Sequence, residues 1–154
     1  MRALAHFRFP TIFALATTLT GCASHTLEPR LVDQAFTAAN VASPLAGPTV
    51  RETTFRTDAG AVSLWLSFAD VVDTHAVRVK WRDPRGRVLG DTGPVALNAE
   101  GGYRPQAGFV ARLPLHGAPA SLLPGAWVAE VSWDDRPLVK RPFTIAAVDS
   151  EVMP

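Results

Sequence analysis

From residue 50 onward, apolar and polar residues alternate in short runs separated by Gly, Pro and Asp. Val62, Leu64, Leu66 and Phe68 share one parity, and so do Val77, Val79 and Trp81. The same holds for Phe109, Ala111, Leu113 and Leu115, and for Trp127, Ala129, Val131 and Trp133. A period of two places each set on one face of a strand, so these residues are the expected core. The pattern predicts strands at 50–57, 61–69, 75–82, 87–91, 94–98, 108–115, 126–133 and 138–147, with no competing helical period. Asp83-Pro84-Arg85-Gly86 has the residues a type I turn requires, and Asp134-Asp135-Arg136-Pro137 closes the last hairpin. Eight short strands with frequent turns predict an all-β antiparallel sandwich, immunoglobulin-like or fibronectin-like.

Ahead of this pattern the chain changes character. Residues 23–49 are rich in Ala, Ser, Thr and Pro, lack a period of two, and read as a tether. Within them Leu31, Val32, Ala35, Phe36 and Ala39 fall on one helical face between Pro29 and Pro44, so a short helix over 31–39 competes with a linker. Residues 149–154 read as a C-terminal tail.

The start of the chain is different again. "MRALAHFR" carries Arg2 and Arg8 with no acid, and the next eleven residues, "FPTIFALATTL", carry no charge. This is the layout of a signal peptide, and the apolar run is shorter than the roughly 20 residues a spanning helix needs. It ends in Leu19-Thr20-Gly21-Cys22, which resembles the lipobox of bacterial lipoproteins. The resemblance implies cleavage after residue 21 and a diacylglycerol thioether on Cys22. It also implies a membrane partner held through lipid and, with Ala rather than Asp at position 23, an outer-membrane location facing the periplasm. An ordinary secretory signal with a chance cysteine is the alternative. The expected organisation is a cleaved leader at 1–21, a lipidated tether at 22–49, a sandwich at 50–148 and the tail.

Two stretches, "VRVKWRDPRGRV" and "LLPGAWVAEVSWDDRPLVKRPFTI", resemble bacterial immunoglobulin-like envelope domains in their Pro-Gly entry, Trp-bearing strand, tight hairpin and terminal strand with Phe143. The chain departs from that pattern in having no cysteine pair between sheets and no tyrosine before its seventh strand.

Composition then narrows the chemistry. Removing the leader leaves 133 residues, with 13 basic against 14 acidic side chains, a balance that argues against nucleic acid as a partner. Cys22 is the sole cysteine, so disulfides and cysteine-ligated metals are excluded once it is acylated. No G-x-S-x-G, P-loop, G-x-G-x-x-G or H-E-x-x-H occurs, and no cofactor is implied. A Ser–His–Asp hydrolase site from Ser63 or Ser67 with His75 or His116 is the third-ranked reading.

Three groups of residues are candidates for binding. Arg78, Lys80 and Arg82 share the outward face of one strand and can meet an anionic envelope polymer; a plain solvated face, with Glu130 as cross-strand partner, explains them more simply. Trp65 has polar-side parity and is either a partner surface or is covered by the tether, with Phe36 as a possible cover. Asp70, Asp73, His75, Asp134 and Asp135 fall in loops expected at one end of the sandwich and form a possible Ca²⁺ or Zn²⁺ set, although Asp is also common in turns for its backbone capping. The leading expectation is a non-enzymatic, lipid-anchored envelope protein that binds or scaffolds another envelope component, with a polymer or metal binder as the alternative.

Overall fold

The computed structural model describes residues 30–148. Cys22, the leader, residues 23–29 and the tail 149–154 lie outside the described residues. Among the described residues nine strands form two sheets: β1 (Arg30–Thr37), β2 (Thr54–Arg56), β3 (Ala61–Val72), β4 (His75–Arg82), β5 (Val88–Asp91), β6 (Val95–Leu97), β7 (Tyr103–Pro114), β8 (Gly125–Trp133) and β9 (Arg136–Ala146). One sheet has the order β1-β3-β7; the other runs β2-β9-β8-β4-β5, with β6 also on β4. The fold is an all-β, immunoglobulin-like sandwich, as the alternation predicts.

All four alternating sets lie in the core, with Val62, Leu64, Leu66, Phe68, Val77, Val79, Trp127 and Ala129 fully buried. Trp81, on β4, crosses Phe143 edge to face at 5.8 Å, and Phe68 lies 4.9 Å from Trp133 between the sheets. With no cysteine in the described residues, these aromatics fill the centre of the sandwich.

The turns follow from their residues. The buried Asp83 carboxylate accepts the Arg85 and Arg87 amides at 2.9 and 2.8 Å and the Arg87 guanidinium at 2.8 Å, while Gly86 takes a φ of +79°. Burial pushes this carboxyl up, but the Arg87 amide, the Arg87 guanidinium and the Arg85 amide outweigh that and hold it below its ordinary value. Asp134 and Asp135 both take positive φ, 46° and 62°, which closes the β8–β9 hairpin in the two-residue form that matches sheet twist.

The expected tether and the expected helix over 31–39 are both corrected. Residues 30–37 form β1, paired antiparallel with β3 from Arg30↔Ala69 to Thr37↔Ser63. The sandwich therefore already includes residues 30–37, ahead of the expected start at 50. An isolated helix of about nine residues is marginal in water. As a strand, the segment instead completes the free edge of β3. It buries Phe36 against Phe143 at 4.9 Å and near Phe55 at 6.4 Å. A bulge between Leu31 and Asp33 blurs the period of two along this segment. Residues beyond β1 cross the outer face of the three-stranded sheet and enter the other sheet as β2, parallel to β9.

Candidate functional site

The outward face of the six-stranded sheet is built from β4, β8 and β9. In-facing Val77, Val79 and Trp81 force Arg78, Lys80 and Arg82 to the opposite side. The structure brings these three predicted residues together, but as members of a charge ladder. Arg78 forms a two-pronged ion pair with Asp91 of β5, at 2.8 and 2.6 Å. Arg82 and Lys140 bind the two oxygens of Glu130 at 2.7 and 2.8 Å. The Arg78 guanidinium, helped by the Gly93 amide, pulls the Asp91 carboxyl down to about 2. Lys140 and then Arg82 hold Glu130 below its ordinary value.

Lys80 stands in register between Asp91 and Glu130, yet among the described residues its ammonium has no ion-pair partner. Beside it lies a shallow depression of about 420 Å³ lined by Arg78, Lys80, Glu130, Ser132, Leu138 and Lys140. The Leu138 side chain supplies an apolar patch and the rim alternates in sign, an arrangement suited to a polar partner of matched charge. Asp91, Leu138 and Lys140 were not among the candidates from sequence. Asp91 and Lys140 share outward parity with their cross-strand neighbours, but which strands are neighbours is a property of the fold.

Trp65 is corrected as a partner surface. It is only 4% exposed, because the crossing segment lies on it. Its indole N–H donates to the Pro44 carbonyl at 2.5 Å, Gly47 packs against the ring, and the Arg51 guanidinium lies 5.9 Å from the ring centre. Phe36 is not the cover; it points into the core. Gly108 is required here, since a Cβ at that position would collide with the Pro44 carbonyl.

The five candidate metal ligands are not brought together. Among the described residues no three His, Cys, Asp or Glu side chains form a group able to hold a metal ion. Asp70 accepts from Tyr103 and Arg30 at 2.8 and 3.1 Å. Asp73 serves the loop through its backbone, receiving Asn98 Nδ2 at 3.0 Å, and Asp135 occupies the hairpin turn. His75 and Asp134 do meet, Nδ1 to Oδ2 at 2.7 Å, while His75 Nε2 faces the Val72 carbonyl at 2.7 Å and the ring lies 4.5 Å from that of Trp133. Both imidazole nitrogens are thus engaged with oxygen acceptors, which leaves no lone pair directed at a metal. Burial pushes the Asp134 carboxyl up, but the Ala76 amide and His75 outweigh it and leave it below its ordinary value.

No family model matches the chain, and no curated protein matches it. Among solved structures it is similar to the alkylpurine DNA glycosylase AlkC of Pseudomonas fluorescens bound to DNA containing an abasic site analogue. The identity is 12% and the TM-score 0.51, over 78% of this chain but only 31% of the glycosylase. It is also similar to an immunoglobulin-like protein from Pseudomonas aeruginosa, at 15% identity and a TM-score of 0.45, over 77% and 97% of the two chains. At such identities the first likeness speaks to the fold alone.

Proposed function

We propose that the chain is a non-enzymatic, lipid-anchored domain of the bacterial cell envelope that binds a partner protein through the outward face of its six-stranded sheet. The observation that carries the reading is the tetrapeptide Leu19-Thr20-Gly21-Cys22, placed so that only residues 23–29 separate Cys22 from β1. Seven residues reach at most about 24 Å fully extended, and as a flexible chain span roughly 15 Å. The domain would ride close to the lipid head groups, which limits its partners to proteins at the same membrane. Among the described residues no helix is long and apolar enough to cross a membrane. The lipobox lacks an Asp at position 23, which favours the outer membrane.

Two measurements test the reading. The mass of the mature N-terminus should show acyl chains on residue 22, absent after Cys22→Ser; an unmodified wild-type cysteine overturns the anchor. A photo-crosslinking residue at Ser132, beside the depression, should give one discrete adduct with an envelope protein, and the same residue at Thr57 should not.

A second reading, binding of an anionic envelope polymer, is favoured by Lys80, which has no ion-pair partner among the described residues. It predicts salt-sensitive polymer binding that Lys80→Ala weakens. The neutralisation of Arg78 and Arg82 by Asp91 and Glu130 argues for the protein partner instead.

A further inference from the structure

We propose that the free edge of β7 pairs antiparallel with the same strand of a second copy, joining two three-stranded sheets into one of six strands across a two-fold axis at Val110. Strand β7 is twelve residues long and pairs with β3 from Ala61↔Pro114 to Val72↔Tyr103. Among the described residues no strand pairs on its other side. Alternate backbone N–H and C=O groups along 106–113 therefore lack ladder partners, and an edge of this length is a template for another strand.

The other strands that border the sheets are blunted along their length, whereas β7 carries its prolines, Pro105 and Pro114, outside the central stretch 106–113. Strand β1 carries a bulge between Leu31 and Asp33. Strand β5 has only four residues. The part of β9 beyond β2 contains Pro137, Lys140, Arg141 and Pro142. Residues 106–113 of β7, "QAGFVARL", contain no proline, no lysine and a single charge, Arg112, and their register with β3 is unbroken. Proline, charge and bulges are the usual protections of an edge.

The occupant follows from the sequence of the strand itself. Pairing about Val110 sets Gly108 opposite Arg112, Phe109 opposite Ala111 and Ala107 opposite Leu113, so each larger side chain meets a small one. The two arginines do not oppose each other, and Val110 meets its own copy. Beside this edge, Gly90 lies so close to Leu113 that a Cβ on it would stand 3.4 Å from the leucine side chain, which places β5 across the sandwich from β7. Strands β5 and β6 there expose Val88, Leu89 and Val95, between 40% and 42% each. They extend an apolar margin along the proposed interface.

The test uses cysteines introduced into the full chain carrying Cys22→Ser, so that each new thiol is the sole one and the result is independent of the anchor. Residues facing their own copy lie with Cα atoms about 4.5–5.5 Å apart, inside the range of about 4.4–6.8 Å that a disulfide spans. Two copies of residue 112 would stand four residues apart along the strands, roughly 13 Å. Mild oxidation should link Val110→Cys into dimers at least fivefold more efficiently than Arg112→Cys. Equal yields from the two overturn the proposal, as does the absence of dimer from a Val110→Cys chain that melts like its parent. Should Val110→Cys fail to fold, sedimentation decides: the Cys22→Ser chain should dimerise, and Val110→Lys, which sets two ammonium groups face to face, should weaken the dimer at least tenfold. A chain that stays monomeric up to about 100 μM, where micromolar pairing would be visible, also overturns it.

Discussion

Trp65 donates its indole N–H to the carbonyl oxygen of Pro44, 21 positions earlier in the chain, and the two residues seal the outer face of the three-stranded sheet. Because Ser63, Trp65 and Ser67 are all buried, this sheet has apolar contact on both faces. Among the described residues the broad sheet face left to solvent is that of β4, β8 and β9, which is why the binding surface is proposed there.

Gly108→Ala tests the seal. The added methyl overlaps the Pro44 carbonyl, so the crossing segment must lift off. Overpacking of this kind costs about 1–3 kcal/mol. The denaturation midpoint should fall accordingly, and Trp65 fluorescence should become accessible to iodide.

Trp127→Ala tests the core. The ring is fully buried and its N–H donates to the Leu123 carbonyl at 2.8 Å. Removing a buried tryptophan typically costs about 3–5 kcal/mol, a large share of a small domain's stability. The variant should melt far below wild type or fail to fold; an unchanged midpoint would mean that β8 presents its other face inward.

The Arg78–Asp91 pair sets an acid limb. The Asp91 carboxyl, held at about 2 in the folded chain, returns to about 3.9 on unfolding. A folded value below the unfolded one stabilises the fold fully above about pH 4. That contribution is lost as the pH falls through 2. In Arg78→Ala the Asp91 titration, followed by carbon NMR of the carboxyl, should move up toward the ordinary carboxylate range. The stability difference between wild type and variant should shrink on acidification over the same window.

The loop acids should not act as a metal site. His75 has both nitrogens committed and Asp70 is held by Tyr103 and Arg30, so millimolar Ca²⁺ or Zn²⁺ should leave the melting curve in place. A ligand that binds only the folded state must raise its midpoint. A shift that disappears in Asp134→Asn would reinstate the site.

How much of this was legible in the chain depends on the range of each interaction. The alternation of Val62 through Phe68 or of Trp127 through Trp133 is a local periodicity, and burying one face of a strand leaves it written in the residues themselves. The turns at Asp83 and Asp134 are equally local in origin: the Asp83 carboxylate acts within four residues, and Asp134 and Asp135 supply the positive φ angles of the hairpin, although the Asp134 carboxylate then also reaches Ala76 and His75 on β4. By itself, then, the sequence determined that strands β2 to β9 exist, which faces of β3, β4, β7 and β8 turn inward, and the all-β class. Only the tertiary structure decided that residues 30–37 are a strand. Their apolar positions fit a helix as well as a sheet, and the choice rests on the open edge of β3 and the aromatic pocket around Phe143. It likewise decided that Trp65 is covered, that Arg78 and Arg82 are neutralised, and that the five loop residues do not converge. Each depends on which residues, distant in sequence, the folding of two sheets places within a few ångströms, and no local pattern encodes that distance.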